Sequence, residues 1–162
     1  MNLVSSIINK MILYFDGDVR RINHAMKVYS FAKTIGELEN IGDDKLLILE
    51  VAAVLHDIGI KESERKYNSS AGNYQEIEGQ AVAMDILKEF NLDKNFVDRV
   101  CYLIGHHHTY TKIDDVDYQI LIEADFIINI FEDSIAKEKV DIIKNKYFKT
   151  KTGIAFIDTM YI

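Results

Sequence analysis

Proline and tryptophan are absent from this chain of 162 residues, and cysteine occurs once, at Cys101. A single cysteine cannot close an intramolecular disulfide, and zinc sites built from several thiolates are excluded. Any bound metal must therefore be held by His, Asp or Glu. No apolar run reaches the roughly 18 to 20 residues that a membrane span requires. The opening Met1-Asn2-Leu3-Val4-Ser5-Ser6 lacks the basic segment of a signal peptide. The expectation is a cytoplasmic protein with no membrane partner. An excess of positive charge is also missing. The net charge of −7 argues against binding a nucleic-acid duplex, which depends on neutralising many phosphates with Lys and Arg. A small anionic substrate stays compatible if positive charge is concentrated locally.

What is present is a 48% hydrophobic composition with long stretches of 3.6-residue periodicity and no convincing alternating strand. This predicts an all-α protein, a single-domain helical bundle of about six to seven helices spanning residues 1–162. Helices are expected over about 3–15, 19–39, 43–57, 75–90, 93–106, 116–131 and 134–147. The polar stretch 61–73 reads as a loop, and the tail from Lys149 is unassigned. Gly59 is expected to end the third helix in a left-handed conformation. No repeat or linker divides the chain; the chemistry-bearing core is about 19–131, with a C-terminal helix and tail over 132–162.

Several polar residues stand where propensity would not put them. His56-Asp57 closes the apolar run Leu46 to Leu55, and an Asp at a helix C-terminus opposes the helix dipole. A divalent metal would satisfy both side chains; a helix-end imidazole and an Asp paired with a nearby Arg or Lys is the structural alternative. Asp125 lies in Ile120-Leu121-Ile122-Glu123-Ala124-Asp125-Phe126-Ile127-Ile128, a run apolar enough to be buried on most faces. Its partner is either a metal or a basic side chain. Glu123 lines up with Gln119 on what reads as a polar edge, and is the backup carboxylate. His24, taken alone, fits a histidine hydrogen-bonded inside a bundle. Gly105-His106-His107-His108 gathers three of the five histidines, so that at least one is expected to face a site.

The ordered set His24, His56-Asp57, Asp125 on a helical background resembles the HD superfamily of metal-dependent phosphohydrolases. The resemblance covers about Arg20 to Phe131, through Arg20-Arg21-Ile22-Asn23-His24-Ala25, His56-Asp57-Ile58-Gly59 and Glu123-Ala124-Asp125. It implies one divalent metal held by His24, His56, Asp57 and Asp125. Such N and O donors suit Mn, Fe, Mg, Zn, Co or Ni without selecting one. It also implies hydrolysis of a phosphomonoester or phosphoanhydride by metal-activated water, with a small phosphorylated molecule, expected to be a nucleotide, as substrate. A homodimer is compatible with the sequence.

Two departures bear on activity. Two-metal relatives often carry a histidine four residues before the glycine opening the middle helix; counted back from Gly79 this position is Gln75. A second metal, or a phosphate contact, would then fall to His106 or His107 with Glu76 or Glu78. Many relatives also carry a lysine directly after the glycine of the doublet, where this chain has Ile60 and then Lys61. Lys61 could still reach a phosphate. Arg21, three residues before His24 and so on the same helix face, is the first choice for a phosphate clamp. Arg20, Arg65 and Lys66 are its possible helpers. The alternative function is a non-catalytic HD-type module that senses a nucleotide or metal.

Overall fold

A computed structural model describes residues 2–162. Among them the chain forms nine α-helices: α1 (Leu3–Phe15), α2 (Val19–Leu38), α3 (Asp43–Leu55), α4 (Ile60–Tyr67), α5 (Gly72–Leu87), α6 (Lys94–Ile104), α7 (Val116–Glu132), α8 (Lys137–Tyr147) and α9 (Lys151–Tyr161). A single 3-10 turn, Lys88–Phe90, extends α5. The helical class agrees with the periodicity, but the count of six to seven was too low.

Local chemistry explains most boundaries. Asp18, Asp93 and Asp115 accept backbone N–H groups at the starts of α2, α6 and α7, satisfying donors that a first turn leaves unpaired. Thr150 does the same for Gly153 in α9. Asp16 and Asn68 end α1 and α4 with positive φ of 43° and 51°, a conformation that short polar side chains tolerate best.

The two helices missed in the sequence have identifiable reasons. The expected loop 61–73 is helical over Ile60–Tyr67. It buries little beyond Ile60 and Ser63, so it offers almost no hydrophobic period to read. Ion pairs support it instead: Arg65 with Glu62, Lys66 with Glu78 and Arg21 with Glu64. The unassigned tail forms α9, whose buried contacts, Gly153 and Ile157, are too few to show a stripe.

α2, α3 and α7 make the central layer, with α2 packed on both others; α6 lies against α3, and α5 bridges α4 and α6. α1 covers α3 and α2, while α8 and α9 close the α7 side. Their apolar faces form one contiguous core, including Val28, Ile35, Leu49, Leu55, Leu103, Ile120 and Leu121. No helix among the described residues is long and apolar enough to cross a membrane.

Gly59 corrects another expectation. Its φ of −77° is right-handed, so it does not terminate α3 by a left-handed residue. The turn after α3 is instead a tight right-handed one, closed by Ile58 N–H to Leu55 O and Ile60 N–H to Asp57 O, each 3.0 Å. Glycine is required there by space. A Cβ would lie 2.5 Å from both Gln75 O and Gly79 N, because the backbone of α5 runs directly against this turn. That close approach sets the wall on which Gln75 faces the doublet.

Candidate metal centre

Two helices and two turns deliver the polar side chains to one place. His24 comes from the second turn of α2, His56 and Asp57 from the turn after α3, Asp125 from α7 and His107 from the turn after α6. His24 Nε2 lies 3.1 Å from His56 Nε2 and 3.2 Å from Asp125 Oδ1. It is also 3.3 Å from Asp57 Oδ2, while His56 Nε2 is 3.4 Å from Asp57 Oδ2 and 3.5 Å from Asp125 Oδ1. On the other side of Asp57, Oδ1 stands 3.3 Å from His107 Nε2. His56 is fully buried and His107 nearly so.

The far nitrogens of the three imidazoles decide what these atoms are. His56 Nδ1 is 2.7 Å from Ala53 O, His107 Nδ1 is 2.7 Å from Ile104 O, and His24 Nδ1 is 3.1 Å from Glu132 Oε2. A carbonyl or carboxylate oxygen can only accept, so each Nδ1 donates its proton outward. In the neutral rings every Nε2 therefore presents a lone pair inward, where it meets carboxylate oxygens and other lone pairs. Buried acceptors facing acceptors are unfavourable unless a cation lies among them. Separations of 3.1–3.5 Å are those of neighbouring ligands around one divalent ion whose bonds are about 2.0–2.2 Å. The residues present fit a metal. Ligand atoms of His24, His56 and Asp57 lie within 4.8 Å of one another, and so do those of Asp57, His107 and His108.

Without a metal, protons fill the same role. Burial alone would push the His24 imidazole down, but its hydrogen bond to Asp125 and the charge of Asp57 hold it above its ordinary value. His56 is carried well above its ordinary value against still stronger burial, by Asp57 and then Asp125. Burial would raise both carboxyls; His56 and then His107 hold Asp57 well below the usual range, and hydrogen bonds from His24 and His56 do the same for Asp125.

The raised histidines stabilise the metal-free fold fully below their unfolded value of 6.5, and that stability is lost as pH climbs through their folded values. The depressed carboxyls contribute stability above 3.8, which is lost as pH falls through theirs. Metal-free protein is therefore expected to be most stable between these two values and to melt progressively lower from about pH 6.5 upward. Affinity for Mn²⁺ should rise over the same interval, since metal and protons compete for the same lone pairs. Melting curves of chelator-treated protein, with and without added Mn²⁺ across this range, check both slopes. A metal-free melting temperature that climbs with pH would contradict the assignment.

The cluster forms the floor of a cavity of about 520 Å³. Arg21 lines it, but its guanidinium is held by Asp18 at 3.0 Å and by Glu64 across to α4. Arg20 lines it as well. Two lining residues that touch the cluster escaped the sequence reading. Asn129 donates to Asp125 Oδ1 at 3.0 Å, and Glu132, also paired with Lys27, orients His24. They follow Asp125 by four and seven residues, and that spacing on one helix face was the available signal. His108 also reaches the cavity, with Nε2 2.9 Å from Gln75 Oε1. Burial and then the neighbouring His107 charge push it down to about 4, so it is neutral at pH 7.

Other expected residues are not brought there. Lys61 donates to Tyr14 O at 3.0 Å and lies 5.1 Å over the Tyr14 ring, because the turn of α4 aims it toward α1. Glu76 accepts from Thr109 Oγ1 at 3.0 Å, and Glu78 is occupied by Lys66 and Tyr67. His106 stacks on Tyr102 at 4.1 Å and donates Nδ1–H to Tyr102 O. Arg65 is bound to Glu62. Glu123 is not on a polar edge: it is fully buried and accepts from Lys149 N, Thr150 N, Thr150 Oγ1 and Gln119 Nε2. It ties the segment before α9 to α7.

Comparison with known proteins agrees with this geometry. The sequence model of the HD domain matches residues 21–142, an interval that contains every side chain of the cluster. The crystal structure of a predicted HD superfamily hydrolase from an uncultured Thermotogales bacterium superposes with a TM-score of 0.70 at 25% sequence identity, covering 99% of this chain and 91% of that one. No curated protein matches the chain.

Proposed function

The chain belongs to the HD domain family, and from that premise we propose that it is a metal-dependent phosphohydrolase acting on a small phosphomonoester or phosphoanhydride. The observation that carries this reading is the convergence of the His24, His56 and His107 Nε2 atoms on the Asp57 and Asp125 carboxylates, which in the neutral rings leaves only acceptors facing one another. A divalent ion at such a site lowers the pKa of a water and polarises a phosphoryl oxygen. The similarity to a protein described as a predicted HD superfamily hydrolase supports the same reaction class.

The residues around the cluster have separable tasks in this reading. His24, His56, Asp57 and Asp125 hold the ion, and His107 adds a further donor beside Asp57. Arg20, one turn before His24 on α2 and lining the cavity, meets the phosphate oxygens, while Arg21 stays held by Asp18 and Glu64. Water adds its oxygen to phosphorus as the P–O bond to the leaving group breaks, and the departing oxygen takes up a proton. Elemental analysis of the purified protein, joined to a phosphoester panel with Mn²⁺, Mg²⁺, Co²⁺ or Ni²⁺ added, tests it directly. No stoichiometric metal and no hydrolysis under any of these conditions would overturn it.

Glu132 gives a graded test. Its carboxylate fixes the His24 ring with the lone pair inward and raises the basicity of that nitrogen. Glu132→Ala is expected to weaken Mn²⁺ binding roughly 10- to 100-fold by calorimetry, and Glu132→Gln, which keeps an acceptor oxygen, by less. Unchanged affinity in both variants would remove Glu132 from this role.

A further inference from the structure

Resting on the phosphohydrolase reading, we infer that the substrate is a phosphomonoester of a small, hydroxyl-rich, non-aromatic alcohol, of the sugar-phosphate class, and not a nucleotide. The lining of the cavity above the His/Asp cluster carries this. Ile60 is its one apolar side chain, and no Phe, Tyr or Trp lines it. Recognition of a nucleobase draws on stacking against an aromatic face, and none is offered.

His108 is the one ring on the upper wall, and it is half-buried. Its centroid lies 3.9 Å from that of His107. Gly72 packs so closely that a Cβ there would sit 2.8 Å from His108 Cγ. Its Nε2–H is already donated to Gln75 Oε1, so that it does not present that donor to a base.

The polar groups left free describe a different ligand. Arg20, Ser70 and Asp133 line the cavity, and among the described residues none of their side chains has a hydrogen-bond or ion-pair partner. Arg20 stands one turn before His24 on α2, placed for phosphate oxygens directed away from the cluster. Asp133 caps the end of α7 and can only accept, which suits hydroxyl protons, and Ser70 can both donate and accept. Asp18, Glu132 and Asp133 also put negative charge on this lining. A chain of two or three phosphates would be driven against it, whereas a single phosphate fits between Arg20 and the cluster.

Ribose 5-phosphate and AMP isolate the point, since the second is the first with a base in place of the anomeric hydroxyl. With Mn²⁺-loaded protein, kcat/KM for ribose 5-phosphate is expected to exceed that for AMP by about tenfold or more. ADP and ATP are expected to be poorer still. Asp133→Asn should raise KM for ribose 5-phosphate about tenfold. AMP hydrolysed as well as or better than ribose 5-phosphate would overturn the inference while leaving the phosphohydrolase reading intact. If neither is turned over, the phosphoester panel decides the phosphohydrolase reading, and calorimetry on the Mn²⁺-loaded protein decides the inference. Tighter binding of ribose 5-phosphate than of AMP supports it; equal or tighter binding of AMP overturns it.

Discussion

Asp57→Ala is expected to abolish stoichiometric binding of a divalent metal and to lower phosphoester hydrolysis by roughly a thousandfold or more. Asp57 is the side chain that joins the two halves of the cluster, with Oδ2 3.3 Å from His24 Nε2 and 3.4 Å from His56 Nε2, and Oδ1 3.3 Å from His107 Nε2. Its removal leaves three imidazoles opposed by the one carboxylate of Asp125. Charge stabilisation by a bound metal amounts to several kcal/mol in such reactions, and about 4 kcal/mol corresponds to a factor of roughly a thousand. The metal-free protein should lose only the stability that Asp57 contributes by pairing with the raised imidazoles, because once it is gone they can shed protons and become neutral. The two melting curves that matter are those of wild type and variant with and without Mn²⁺. The wild type should show a metal-dependent rise and the variant none. A variant that binds metal normally, or whose metal-free form collapses, would instead identify the cluster as a structural ion-pair network.

Glu123→Ala should produce the reverse pattern, a large loss of stability with the metal centre retained. The carboxylate is fully buried and accepts from Lys149 N–H, Thr150 N–H, the Thr150 hydroxyl and the Gln119 amide. The Lys149 and Thr150 donors sit at the start of α9, where the helix dipole also favours a negative charge. Truncation leaves them facing an apolar hole, and a buried network broken on one side costs about 3–5 kcal/mol. For a chain of this size that is a fall in melting temperature of roughly 6–20 °C. Glu123→Gln keeps one acceptor oxygen and should lose less. Metal stoichiometry should stay at the wild-type value in both, since none of the groups Glu123 binds belongs to the cluster. Loss of metal with little loss of stability would return Glu123 to the list of ligands.

The contrast between Asp125 and Glu123 shows how far the chain could be read without coordinates. Both carboxylates lie in one apolar run and both are buried, so hydropathy flags the pair without separating them. Two residues apart on a helix they point about 200° apart, one toward α2 and the doublet, the other toward the start of α9. Similarly, Gly105-His106-His107-His108 announced a site without choosing among its rings. Only the turn after α6 turns His107 inward, seats His108 beside Gln75 and stacks His106 on Tyr102.

From its sequence alone this protein is determined to be helical and without an intramolecular disulfide, because periodicity and residue type are local properties, while the expectation that His24, His56-Asp57 and Asp125 act together came from a family resemblance. The tertiary structure decided which polar groups meet. His24 and Glu132 are 108 residues apart yet 3.1 Å from each other, and Lys61 turns to Tyr14 and away from the cavity. Helical periodicity gives the face a residue occupies, but not how that helix is rotated against its neighbours. That rotation follows from packing the whole core, and it is what sets the direction of every lone pair and charge at the centre.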